Sequence, residues 1–157
     1  VRRKVGLVFQ DADSQLFMPT VLEDVSFGLL NQGLSAGAAC ERAQIALEQV
    51  GMAGAGGRVP HHLSAGEKRR VALAGILALD PEILVLDEPT TFLDPPGQRA
   101  MADLLRNLPQ AKILITHDMP FALATCSRAV FFRDGTIAAE GPVEEVAARF
   151  GWGSATR

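Results

Sequence analysis

Ile83-Leu84-Val85-Leu86-Asp87-Glu88-Pro89 is the stretch from which the fold can be read. Four apolar residues in a row, bounded by Pro81 and Pro89, read as a short buried strand. Two carboxylates stand at its C-terminal end, the edge at which open α/β sheets bind ligands. A first carboxylate there can hold Mg²⁺, directly or through water. A second can orient or deprotonate an attacking water. The plainer alternative is a strand followed by a solvated Asp-Glu-Pro turn.

Working outward, strands alternate with helices. Val5–Phe9 is a short apolar, β-rich run followed by a polar, loop-like stretch over 10–19. Thr20 opens a helix with Glu23 three residues on, a capping-box pattern, and Gly33 closes it. Ala39, Ala43, Leu47 and Val50 mark one face of a helix over Ala36–Val50, and the glycine-rich segment 51–60 reads as a loop. Helices are expected over Glu67–Leu79, Gly97–Leu108, Pro120–Cys126 and Val143–Phe150, with a frayed tail after them. Ile113–Ile115 reads as a strand, and Ala129–Arg133 with Thr136–Glu140 as an antiparallel hairpin around Asp134-Gly135. This alternation predicts an α/β layered fold with a mainly parallel sheet.

Composition narrows the function classes. The chain has 157 residues, 48% hydrophobic and 21% charged, an ordinary globular mixture of single-domain size. A formal net charge of −3 argues against general binding to nucleic-acid backbones and against a polybasic membrane anchor. No apolar run reaches the length of a transmembrane helix, and the start Val-Arg-Arg-Lys does not resemble a signal peptide. Cys40 and Cys126 form no CxxC pair and read as reduced structural thiols of a cytosolic protein. The sequence begins at Val1, almost directly in a strand, and so reads as cut rather than begun.

Three further stretches can carry chemistry. Leu63-Ser64-Ala65-Gly66-Glu67 is a second capping box, and the same geometry makes a phosphate site from free N–H groups and the helix dipole. Lys68, Arg69 and Arg70 after it read as a solvated face. Thr116-His117-Asp118 follows a buried strand, so His117 shares the sheet edge with Glu88 and can donate a hydrogen bond to a terminal phosphate. Gln10, just past the first strand, can reach a metal-bound water. His61 and His62 have no metal-site spacing and read as loop residues.

The order Gln10, Leu63–Glu67, Leu86-Asp-Glu-Pro89, Phe92-Leu-Asp94, His117 resembles the ATP-binding-cassette ATPases over nearly the whole chain. The resemblance implies a partial P-loop NTPase domain over 1–157, with a helical signature subdomain at about 20–79 and a C-terminal hairpin. It implies that Gln10 is the Q-loop glutamine, touching the metal and coupling the site to a membrane subunit. Ser64, Ala65, Gly66 and Glu67 take the signature positions that close over ATP held by a partner subunit. Asp87 takes the Mg²⁺-holding Walker B position and Glu88 that of the catalytic carboxylate. Asp94 takes the D-loop position at the dimer seam, and His117 that of the switch histidine on the γ-phosphate. The cofactors implied are ATP and Mg²⁺. The partners implied are a second ATPase subunit, identical or not, and a transmembrane subunit at the cytoplasmic face of the membrane. Gln10–Phe17 and Thr20–Gly28 are similar to the ATPases of energy-coupling-factor transporters, which include cobalt, nickel and vitamin importers.

Two departures from that pattern bear on activity. Ala65 replaces the first glycine of the signature, adding one methyl to the approach to the γ-phosphate. No Walker A motif, GxxxxGK[ST], occurs anywhere: Lys4, Lys68 and Lys112 are followed by Val, Arg and Ile. The main phosphate cradle is therefore missing, and the expectation is an N-terminally incomplete domain with uncovered apolar faces or strand edges that does not hydrolyse ATP by itself. A non-catalytic module completing another subunit's ATP site is the second reading. A DNA-repair or chromosome-structure ATPase is disfavoured, because the 54 positions from Gln10 to Ser64 hold no long coiled coil.

Overall fold

A computed structural model describes residues 4–151; the expected frayed tail, from residue 152 on, lies outside the described residues. Three strands, β1 (Val5–Val8), β2 (Ile83–Asp87) and β3 (Ala111–Ile115), form a parallel sheet in the order β1-β2-β3. The register pairs Val8 with Leu86, and Asp87 with Ile115. All three strands therefore end at one edge. Gln10, Asp87 with Glu88, and Thr116 with His117 leave the sheet side by side.

One face of the sheet is closed. Val8, Leu84 and Leu86 on it are at most 1% exposed. The helix α3 (Ala65–Leu77) packs on β1 so closely that a Cβ on Gly6 would meet Ile76 Cγ2 at 2.2 Å, so only glycine fits there. The other face is open. Leu7, Ile113 and Ile115 are 38%, 54% and 51% exposed, and Phe9, just past β1, is 49% exposed.

Two helices, α1 (Val21–Asn31) and α2 (Ala36–Gln49), pack on each other and on α3. Val21, Val25 and Leu29 of α1 meet the expected Ala39, Ala43 and Leu47 face of α2 in one buried cluster. Thr20 caps α1 with a complete capping box, as its spacing predicts, and Gly33 (φ +88°) ends it. Two helix starts move by two residues. α3 begins at Ala65, not Glu67, because Ser64 is its N-cap. The next helix, α4 (Pro95–Asn107), begins at Pro95, not Gly97, because Asp94 caps it and proline suits the first turn. His61 and His62 end a short 3₁₀ turn, Pro60–His62, and both are exposed.

Beyond β3 come α5 (Met119–Thr125), the antiparallel pair β4 (Arg128–Arg133) and β5 (Thr136–Pro142), and α6 (Val143–Arg149). Asp134 and Gly135 both have positive φ (+51° and +75°), as a tight hairpin turn requires. Cys40 and Cys126 are free thiols. Among the described residues no helix is long and apolar enough to cross a membrane.

Candidate functional site

The residues singled out in the sequence fall into two groups. The first lies at the carboxyl edge of the sheet. Glu88 leaves β2 in the left-handed region (φ +45°), and its N–H donates to Ile115 O at 2.8 Å. A non-glycine residue there costs about 1–3 kcal/mol and persists only where its surroundings over-determine it. Here they do. The Glu88 carboxylate, only 16% exposed, accepts from Thr116 Oγ1 (3.1 Å), from His117 N (3.1 Å) and from the His117 ring at Nδ1 (2.7 Å). This hydrogen bond, and then the carboxylate charge, hold the His117 pKa above the ordinary imidazole value. Any contribution of the charged pair to stability is therefore present below that ordinary value and is lost as pH rises through the raised one. His117 Nε2 has no partner among the described residues, so it is free to donate outward.

A chain of hydrogen bonds steadies this edge. Asp118 N donates to Thr116 Oγ1, Asp118 Oδ1 accepts from Phe121 N, and the buried Thr90 donates to Asp118 Oδ2 at 3.1 Å. The Asp87 carboxylate, half-buried, accepts no hydrogen bond among the described residues. An uncommitted carboxylate at a strand end, with the exposed Gln10 following the neighbouring strand, fits Mg²⁺ that arrives with phosphate oxygens. Those residues do not make a cage of their own, and no cluster of three or more His, Cys, Asp or Glu occurs among the described residues.

The second group lines an open groove of about 530 Å³ between the start of α3 and the segment Phe92–Gly97. Ser64, Ala65, Gly66, Glu67 and Asp94 all line it, whereas Gln10, Asp87, Glu88 and His117 do not. The N–H groups of Ala65 and Gly66 donate to nothing among the described residues, and they sit at the positive end of the helix dipole. That fits a phosphate. Glu67 is used otherwise. Arg58 Nη1 donates to it at 2.6 Å and Ser64 N at 2.8 Å, and these bonds hold its carboxyl down to about 2. Their contribution is present above the ordinary carboxyl value and is lost as pH falls towards about 2. Asp94 Oδ1 accepts from Gly97 N as the cap of α4.

The sequence reading of Lys68, Arg69 and Arg70 as a solvated face is corrected. Arg69 is 3% exposed. Nη1 donates to Glu88 O (2.9 Å), and Nη2 to Gln10 O (2.8 Å) and Thr91 O (3.0 Å). Lys68 Nζ, with its side chain 17% exposed, donates to Asp13 at 2.6 Å, and Arg70 is half-buried. The reason is that α3 is buried on several sides, between α1 and α2 and the sheet. The helical spacing of Arg69 with Leu73 and Ile76 was the signal that places it inward. Thr116, Thr90 and Arg58 also escaped the sequence reading, because hydroxyls and loop arginines carry no spacing signature.

A parallel sheet whose strand ends present Gln, Asp-Glu and Thr-His, with a capped helix aiming free N–H groups into a groove, is a nucleotide-binding fold of the α/β P-loop type. The chain belongs to the ABC transporter family, whose pattern it matches over residues 1–91. It is 54% identical over 148 residues to a putative ABC transporter ATP-binding protein of Streptomyces avermitilis, covering 94% of this chain and 56% of that protein. It is 48% identical over 149 residues to the energy-coupling factor transporter ATP-binding protein EcfA of Methanothermobacter thermautotrophicus, covering 93% of this chain and 48% of that one. Among solved structures, cbiO1 of Clostridium perfringens, part of the ABC transporter complex cbiONQ, superposes with a TM-score of 0.85 at 37% identity. That match covers 95% of this chain and 61% of cbiO1. A dimeric bacterial ABC transporter cassette superposes with a TM-score of 0.77 at 29% identity, covering 90% of this chain and 64% of the cassette. The chain thus spans about half to three fifths of the length of these curated relatives.

Proposed function

We propose that these residues are the part of an energy-coupling-factor-type importer ATPase that carries the catalytic carboxylate and the signature helix. The observation that carries this is Glu88, held by Thr116 and His117 at the sheet edge between Gln10 and His117. Asp87 and the Gln10 amide would hold Mg²⁺, which neutralises charge on the β- and γ-phosphates. Glu88 orients the attacking water and takes its proton, and its largely covered carboxylate keeps competing water away. His117 keeps Nδ1 on Glu88 and offers Nε2 to a γ-phosphate oxygen.

The separation of the two groups supports an assembly of two ATPase subunits. The groove with the free Ala65 and Gly66 N–H groups serves a nucleotide held by a partner, while the sheet edge serves the chain's own. The dimeric related cassette agrees with this. A transmembrane subunit docks near Gln10 and α1, where Phe17 (62% exposed) stacks edge-on against Phe27 and Leu30 is 44% exposed. In this reading the protein sits peripherally at the cytoplasmic face of the membrane.

No GxxxxGK[ST] cradle lies within 1–157, so these residues alone bind MgATP weakly and do not turn it over. The open sheet face is where the rest of the ATP-binding unit packs. The test is ATP hydrolysis by the protein expressed from its whole reading frame. Glu88→Gln is expected to lower kcat by about 100-fold or more while ATP still binds. Unchanged turnover sinks the assignment. The second reading, a module that completes a partner's site, rests on the signature groove alone; it leads if the chain activates an intact ATPase and Ser64→Arg abolishes that activation.

A further inference from the structure

Arg69 stands between the two groups of site residues, and no motif assigns it a role. It is three residues beyond Gly66 on α3, so it rides on the helix whose N-terminus faces the groove. Its two terminal nitrogens donate to three backbone carbonyls, those of Gln10, Glu88 and Thr91. These come from the segment after β1 and from the turn after β2, which no other hydrogen bond joins among the described residues. No carboxylate lies within ion-pair distance of it among the described residues, and its Nε has no acceptor there.

A buried cation without a paired carboxylate is a costly way to fill space, since an apolar side chain would pack α3 on the sheet more cheaply. What a guanidinium supplies is a planar fork with donors in two directions at fixed geometry. Lysine has a single nitrogen and cannot span the same carbonyls. The turn it holds contains two left-handed non-glycine residues, Glu88 (φ +45°) and Phe92 (φ +63°). Thr91 N donates to Glu88 O as well, so the Glu88 carbonyl is fixed from two sides.

We propose that Arg69 is a positioning residue: by clamping the backbones of Gln10, Glu88 and Thr91 it fixes where the Glu88 carboxylate stands relative to Gln10, and ties that placement to α3. This rests on Glu88 being the catalytic carboxylate. Arg69 touches no substrate and acts only through the backbone of the residues it holds.

The test uses the protein from its whole reading frame, as wild type, Arg69→Gln, Arg69→Lys and Glu88→Gln. Hydrogen exchange is followed by mass spectrometry and turnover by phosphate release. In Arg69→Gln, protection of the peptide spanning 88–93 is expected to fall about tenfold while peptides of α1 and α2 keep theirs. kcat is expected to fall at least about tenfold with KM for MgATP changed by less than about threefold, and Arg69→Lys to recover part of kcat. Retained protection at 88–93 overturns the proposal whatever the turnover. Lost protection with unchanged Glu88-dependent kcat also overturns it, since Arg69 then only packs the turn. If the wild type shows no turnover sensitive to Glu88→Gln, the ATPase reading fails, and the exchange result alone upholds or overturns the clamp. If Arg69→Gln does not fold, Arg69→Lys carries the same comparison.

Discussion

The two faces of the three-stranded sheet are made from the same kinds of residue and meet opposite surroundings. Val8, Leu84 and Leu86 are sealed under helices, and Gly6 is glycine because Ile76 lies against it. Leu7, one position from Val8 on β1, and Ile113 and Ile115 on the neighbouring β3 are 38–54% exposed. The site straddles this divide: Asp87 shares the open face with Leu7 and Ile113, whereas Glu88 turns to the side of Thr116. Period-two alternation thus states which side chains share a face. It does not state which face finds a partner.

The largest effect that tests this contrast is on stability. In residues 1–157, Leu84→Ala is expected to cost about 2–5 kcal/mol in urea unfolding. Ile113→Ala in the same chain is expected to stay within about 0.5 kcal/mol. Equal losses would erase the distinction between the faces. Repeating Ile113→Ala in the protein from the whole reading frame sharpens it, because a covered face raises the cost to about 2 kcal/mol or more.

Gly6→Val comes next. The added side chain must displace Ile76, and a loss of about 1–3 kcal/mol in the free energy of urea unfolding is expected. A neutral result would mean that Ile76 of α3 does not lie against Gly6. The smallest effect is a titration. By NMR, His117 is expected to titrate above the ordinary imidazole value, and Glu88→Gln to bring its midpoint down. An unmoved midpoint would show that the two side chains are not paired in solution.

Much of the fold was legible in the sequence. The parallel strands, the Thr20 and Ser64 capping boxes and the Asp134-Gly135 turn are local patterns, and each appears where its residues place it. The shared edge of Gln10, Asp87, Glu88 and His117 was legible too, because parallel strands all end on one side. What the sequence hid was tertiary. A basic triplet looks solvated until neighbouring helices bury its middle member, so Arg69 could be read only from its helical phase with Leu73. The spacing shows Glu67 as half of a capping box, yet Arg58, from a loop without periodicity, also takes up its carboxylate. Thr116 earns its place only through the register that sets it beside Glu88.

The most direct measurement is phosphate release from MgATP by residues 1–157 and by the protein from its whole reading frame, each beside its Glu88→Gln variant. The account predicts no turnover from the 157-residue chain and Glu88-dependent turnover from the whole protein, because the edge is assembled here and the phosphate cradle is not. Steady turnover by residues 1–157 alone that disappears in Glu88→Gln would contradict it.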